Sequence, residues 1–313
     1  MLLGEYGMKM FTKLALVSSI AISANANAMA MQSMDDAALS STTGQDGLNI
    51  GIGISKVTID QLAIHDNDGY SDTTKGGTST GGAIVIKANG DGTNGTITHG
   101  IEITPNTASL LTSHNLADLV IDTDGGGANG AFLNIAAQVS GLNIKIGEIG
   151  IAKSKTYTAG SVARGVETTG YNKILNGLTL KTGKMDANIQ LGTAPQGAMI
   201  NLKTTMVGGL ELANLSIHDG SAGAGGDIVL DSIKVASTGS TTGDLNVDAS
   251  VKVLTTGLQI TSNDAAGNDI YIKGIHLGSS SVGSIGDVEI SGVKTFYGAA
   301  GTTAGSQITI SGH

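Results

Sequence analysis

The 313-residue chain carries 48 Gly, two Pro, no Cys and no Trp, with a formal net charge of −9. Arg164 is its single arginine, so the clustered cations that phosphate contacts need are missing and nucleic acid is not a partner. Without Cys there is neither a disulfide framework nor a thiol nucleophile. Hydrophobic residues reach 40% but aromatics only 3%. A core must therefore be built from Ile, Leu, Val and Ala, side chains that suit pleated sheets.

From Met8 the chain reads MKMFTKLALVSSIAISANANA. Lys9 and Lys13 form a positive start, Leu14 to Ile22 a short apolar run, and Ala26-Asn27-Ala28 a small-residue cleavage site, with Ala28-Met29-Ala30 as a second. The run falls far short of the ~20 residues that span a bilayer as a helix. Residues 1–28 read as a secretory signal peptide, with Met8 as an alternative start, and the mature chain as exported with no transmembrane segment.

Residues 29–47 read as an N-terminal motif. Asp35 or Asp36 can cap a helical turn through Leu39, and Gly44 and Gly47 permit a reversal into the first strand. Such a turn would cover the apolar end of a stack. The stretch MQSMDDAALSSTTGQDGLNI, residues 31–50, resembles the mature N-terminus of the FilA-like family of candidate bacterial pilus subunits. The matching residues are Met34, Asp35, Asp36, Leu39, Ser40, Thr43, Gly44 and Gln45. Beyond residue 50 the likeness is general only, resting on Gly-rich β-repeats, acidic charge and the lack of Cys. The resemblance implies a surface or filament role rather than catalysis, and it supplies no binding residues.

Residues 48–313 carry one rhythm, apolar-x-apolar-x-x, and read as a single elongated β-rich domain. It runs through Ile52, Ile54, Val57, Ile59, Leu62 and Ile64, and returns at Ile144, Ile146, Ile149, Ile151. It recurs at Leu210, Leu212, Leu215, Ile217, at Ile228, Leu230, Ile233, Val235, and at Ile270, Ile272, Ile275, Leu277. Leu245, Val247, Val251 and Val253 carry it with one extra residue. A flat strand keeps its buried residues at one parity. The flip after each x-x therefore demands a bend, bulge or corner there. Modules starting at 210, 228, 245, 270 and 288 are separated by 18, 17, 25 and 18 residues, a roughly constant spacing such as stacked coils show. The predicted fold is all-β, a β-solenoid or β-helix-like stack of short strands with Gly-rich loops. The alternative is a β-sandwich in which each x-x is a hairpin turn. Residues 106–120 are predicted as a short helix.

Three stretches suit a hard cation such as Ca²⁺: HDNDG at 65–69, NGDGTNG at 89–95 and DTDGGG at 122–127. Asp, Asn and Gly also dominate ordinary turns, so no metal ligand is assigned and no cofactor expected. His65-Asp66 and His218-Asp219 could each orient a general base, but their equivalent places after an apolar pentad point to a polar corner. Gly77-Thr78-Ser79-Thr80-Gly81 matches G-x-S-x-G without the strand and helix of a nucleophile elbow. No catalytic residue is nominated.

Nine aromatics that are Phe or Tyr cannot furnish the girdles of an outer-membrane barrel. The sequence thus points to a secreted, non-enzymatic structural protein at the surface of a Gram-negative bacterium: a pilus- or fimbria-like subunit or an adhesin. Its partners would be copies of itself, other filament subunits, or host or surface ligands. The rival is a secreted carbohydrate-active solenoid enzyme, which needs a pair of carboxylates across the scissile bond. At the C-terminus SQITISGH, residues 306–313, ends on an alternating strand that no charge or Pro blunts; it is expected either to close its own domain or to pair with a neighbouring subunit.

Overall fold

The computed structural model describes residues 47–93 and 95–312. The signal peptide of 1–28, nearly all of the 29–47 motif, Asn94 and His313 lie outside the described residues. The fold is all-β, as expected. An eight-stranded sheet (sheet A) and a twelve-stranded sheet (sheet B) hold nearly every strand, and neither closes on itself.

The chain visits the two sheets in eight arms, each carrying a segment in both. Arm 1 places β1 (Leu48–Ile52) in sheet A, then β2 (Val57–Ile59) and β3 (Gln61–His65) in sheet B. Arm 2 returns through β4 (Gly82–Lys87) and β5 (Ile101–Pro105) to β6 (Ala117–Asp124) in sheet A. Arm 3 runs from β7 (Phe132–Val139) to β8 (Leu142–Ile146) and β9 (Glu148–Lys153). Arm 4 comes back along β10 (Asn172–Leu175), β11 (Leu178–Lys181) and β12 (Met185–Gly192). Arm 5 holds β13 (Ile200–Met206) and β14 (Leu210–His218), and arm 6 β15 (Asp227–Ser237) and β16 (Leu245–Leu254). Arm 7 holds β17 (Gly257–Ser262) and β18 (Asn268–Gly278). Arm 8 leaves sheet B by β19 (Val288–Val293), makes the hairpin β20 (Phe296–Tyr297) with β21 (Thr303–Ala304), and ends in sheet A as β22 (Ser306–Ile310). In both sheets the arms lie side by side in chain order, every neighbour antiparallel. Coils in the expected β-helix would stack parallel; here the chain reverses at each arm's end.

The apolar positions explain the register. In sheet A one cross-strand column runs Leu48, Ile121, Ile135, Ile189, Ile200, Val251, Ile260, Ile308. In sheet B another runs Val57, Ile103, Ile144, Leu180, Leu212, Ile233, Ile272, Val288. Both are unbroken through all eight arms. Neighbours in such a column are each worth roughly 0.2–1 kcal/mol over alanines. Ion pairs on the opposite face agree with the same register. Lys87–Glu148 (3.3 Å), Lys145–Glu102 (3.5 Å), Lys181–Glu211 (3.3 Å) and Lys203–Asp248 (3.7 Å) each join directly opposed residues. A slip of one residue would exchange the two faces and break all of these contacts together.

The x-x of the pentad is a crease within an arm, not a hairpin turn. Strands β14, β15 and β18 pass through it in 9, 11 and 11 residues. Asn214 (φ 59°) and Gly274 (φ 63°) take the left-handed conformation there, and at Gly274 a Cβ would collide with the Asp231 carboxylate. Backbone bonds carry the crease across arms 1 to 3, from Gly100 N–H to Asp60 O (3.0 Å) and from Gly147 N–H to Gly100 O (2.8 Å). The pairing register continues through the crease; beyond it Ser216 and Val229 are buried, while Ile217, Ile228 and Leu277 are exposed.

Where an arm crosses between sheets, small polar side chains are buried. Ser140 is fully buried, accepts from the Leu111 amide (3.0 Å) and donates to the Asn115 carbonyl (2.6 Å). Residues 106–116, part of the predicted helix, are this crossing in arm 2, and β6 follows; the segment is turns and strand. Its amides are satisfied by Ser140 and by Gly141 O, not by a helical ladder. On the far half of sheet B, Ala83, Val85 and Ala152 form a small core roofed by Val166 and Tyr171 of the 154–171 loop. Lys87 Nζ sits 3.6 Å over the Tyr171 ring. Arg164, the lone arginine, ties that loop to the neighbouring one through Asn67 Oδ1 (2.6 Å).

Candidate functional site

Strand alternation sends the apolar columns of sheet A to one face and a polar set to the other. On that polar face a groove of about 800 Å³ is lined by Asp118, Gln138, Asp186, Lys203, Asp248 and Asp264, among others. Asp118, Gln138 and Asp186 face one another across β6, β7 and β12. Lys203 and Asp248 oppose each other on the adjoining β13 and β16.

Three groove carboxylates are engaged by side chains, whereas Asp264 accepts from the Ala266 amide through Oδ1 (2.9 Å) and its buried Oδ2 has no hydrogen-bond partner among the described residues. Asp118 accepts from the Ser113 hydroxyl (2.5 Å) and the Asn115 amide (2.6 Å), which hold its carboxyl below the usual range. Asp186 accepts from Gln138 Nε2 (3.1 Å), and Asp248 from Asn263 Nδ2 (3.0 Å) while facing Lys203. Asp118 and Asp186 lie two strands apart, about 10 Å at the backbone from an interstrand spacing of ~4.8 Å, with Gln138 between them. A glycosidase acid needs a raised pKa and a second carboxylate about 5–10 Å away. The groove offers hydrogen-bond acceptors and two ammonium groups, Lys184 and Lys203, to a hydroxyl-rich ligand.

The other sequence candidates fall elsewhere. His65 Nδ1 meets Ser154 Oγ (2.8 Å), and Asp66 accepts from the Asp68 amide (3.3 Å). His218 pairs with Asp227 across the ladder (2.9 Å), while its sequence neighbour Asp219 caps Ser221 through amide and hydroxyl. That hydroxyl bond lowers the Asp219 pKa, as the Thr93 hydroxyl lowers that of Asp91. Asp124 likewise accepts from the Gly126 amide (2.5 Å). In the three candidate cation loops Asp66, Asp91 and Asp124 accept from nearby backbone amides, and among the described residues no group of three or more acidic or His ligands converges. Ser79, in the G-x-S-x-G match, has φ 52° and donates its amide to Tyr70 O (3.0 Å) in a loop that leads into β4. Asp186 and Lys203 escaped notice in the sequence because outward strand positions look like solvated surface until the arms are ordered.

No helix among the described residues is long and apolar enough to cross a membrane. A family of unknown function (DUF6160) matches residues 8–109, which reach from the leader-like segment through β5 of arm 2. No curated protein and no solved structure matches the chain.

Proposed function

We propose that this chain is a secreted, non-enzymatic structural protein of a Gram-negative cell surface, a pilus- or fimbria-like filament subunit or a surface adhesin. The observation that carries the reading is the pair of apolar columns running end to end through eight antiparallel arms. We read these columns as an extensible stack of β arms whose polar residues cap turns and fix register. The resemblance of residues 31–50 to FilA-like subunits points the same way. Negative-stain microscopy of cells with and without the protein tests it: loss of a surface structure, restored by the gene, is expected. Mass spectrometry of exported protein should find an N-terminus at Met29 or Met31; an intact Met1 or Met8 would remove the secretion step.

The sheet A groove favours a second reading, a carbohydrate-active protein, because Asp118, Asp186 and Asp248 line one wall with polar amides. Release of reducing ends from a polysaccharide panel would replace the first reading with this one. Binding without release fits an adhesin.

A further inference from the structure

We infer that copies of this chain join head to tail by edge pairing, arm 8 of one copy (β22 with β19) against arm 1 of the next (β1 with β2). The inference rests on the structural-subunit reading and specifies its interface.

Topology makes the two ends compatible. Because both sheets keep chain order, arms 1 and 8 each have one side with no strand among the described residues. Arm 1 runs from sheet A to sheet B, and arm 8 from B to A. An even number of arms therefore sets the next copy's arm 1 antiparallel to arm 8, which continues the pattern of all the internal neighbours. An odd number would have forced a parallel joint.

The side chains are compatible too. Extending the columns places Leu48 of one copy against Ile308 of the other, and Val57 against Val288. In sheet A the internal members of the column are half-buried, whereas Leu48 and Ile308 are each 56% exposed. Among the described residues they lack the second cross-strand neighbour that every internal rung has. Natural edges are blunted by charge or Pro; β1 (LNIGI) and β22 (SQITI) contain neither. On the opposite face of sheet B the polar column runs Lys181, Glu211, Lys234, Tyr271, Glu289. Its next position, set by the register of Val57 with Ile103, is Lys56. Glu289 has no salt-bridge partner among the described residues and would gain one in Lys56 of the adjoining copy, which at present pairs with Glu102 (2.6 Å). A joint between two different ends does not close on itself, so it propagates as a filament.

Two experiments on the full mature chain decide the matter. The native chain has no Cys, and opposed residues of an antiparallel pair lie within disulfide reach. Leu48→Cys with Ile308→Cys should give a ladder of covalent multimers under mild oxidation, and Tyr157→Cys with Ile308→Cys should not. Glu289→Lys and Lys56→Glu should each raise the concentration needed for assembly by about tenfold, and mixing the two variants should restore it. Unchanged urea midpoints show that the variants remain folded. Assembly without the 48–308 cross-link, or no rescue on mixing, overturns this interface while leaving the subunit reading intact. So does a chain that stays monomeric until residues 29–46 are removed, because its own segment then occupies the β1 edge. Polysaccharide cleavage would overturn the subunit reading instead.

Discussion

Replacing Ile233 by Asp tests the apolar column where it is best supported. Ile233 stands in β15 with Leu212 on one side and Ile272 on the other. Complete burial of an Ile is worth about 1.5–3 kcal/mol; this residue is half-buried, so roughly 1–2 kcal/mol of transfer energy goes. Placing a carboxyl among aliphatic neighbours costs about 1–3 kcal/mol more. The expected loss of about 2–4 kcal/mol is a large share of the ~5–15 kcal/mol of a typical domain. Lys234 projects to the other face and is exposed, so Lys234→Gln should stay within about 0.5 kcal/mol. Lys234→Asp sets a like charge opposite Glu211 and should cost about 0.2–1 kcal/mol. Urea titration followed by far-ultraviolet circular dichroism measures all three, with equal m-values required for the comparison. An Ile233→Asp midpoint equal to that of Lys234→Gln would refute the inward assignment of the column.

Ser140→Ala should cost about 2–4 kcal/mol in the same titration, because it leaves the Leu111 amide and the Asn115 carbonyl without their buried partner. Gly274→Ala should cost at least about 1–2 kcal/mol, since its φ of 63° is left-handed and its Cβ meets Asp231; Gly283→Ala, in open space, should be close to neutral. His276 donates from Nδ1 to Val282 O (2.6 Å) and faces Asp231 through Nε2 (3.4 Å), and these contacts raise its pKa above the ordinary 6.5. Its contribution to stability is full below pH 6.5 and is lost as pH rises through the raised value. The melting-temperature gap between parent and His276→Gln should therefore narrow from pH 5.5 to pH 8.5; a constant or widening gap would contradict the assignment. Excess chelator should leave the melting temperature unmoved, because Asp91, Asp124 and Asp219 already accept bonds from their own turns; a drop would reveal a bound cation.

The strand content was legible because alternation within each pentad is a direct consequence of pleat geometry, but the buried face was legible only in part: Ile64, Ile217, Ile228 and Leu277 are exposed, while Val85 and Val229, which are not pentad positions, are buried. The parity flip announced a bend at x-x, and Asn214 and Gly274 supply it. What could not be read was the direction of stacking. The module at 228 follows that at 210 after a reversal at residues 219–226, within sheet B. The module at 245 follows that at 228 after a crossing into sheet A. The two steps are 18 and 17 residues long for different reasons, and equal spacing made them look like turns of one coil. The predicted helix at 106–120 failed for a related reason: its apolar spacing belongs to a crossing held by the buried Ser140.

The polar groove was hidden more deeply. Nothing in the stretch around Asp186 distinguishes it from any other outward carboxylate. It gains Gln138 as a donor because the 154–171 loop and arm 4 bring β12 back beside β7, and it adjoins Lys203 because the turn at 193–199 folds β13 onto β12. Each contact depends on how consecutive arms are registered against each other, so composition and spacing carry no trace of it. The edges differ in this respect. Whether β1 and β22 lack protective charge is a local property, and the bare C-terminal strand was visible in the sequence alone. That the proposed complement would lie at the opposite end of the same chain follows only from the count of arms, which fixes the direction of arm 8 against arm 1.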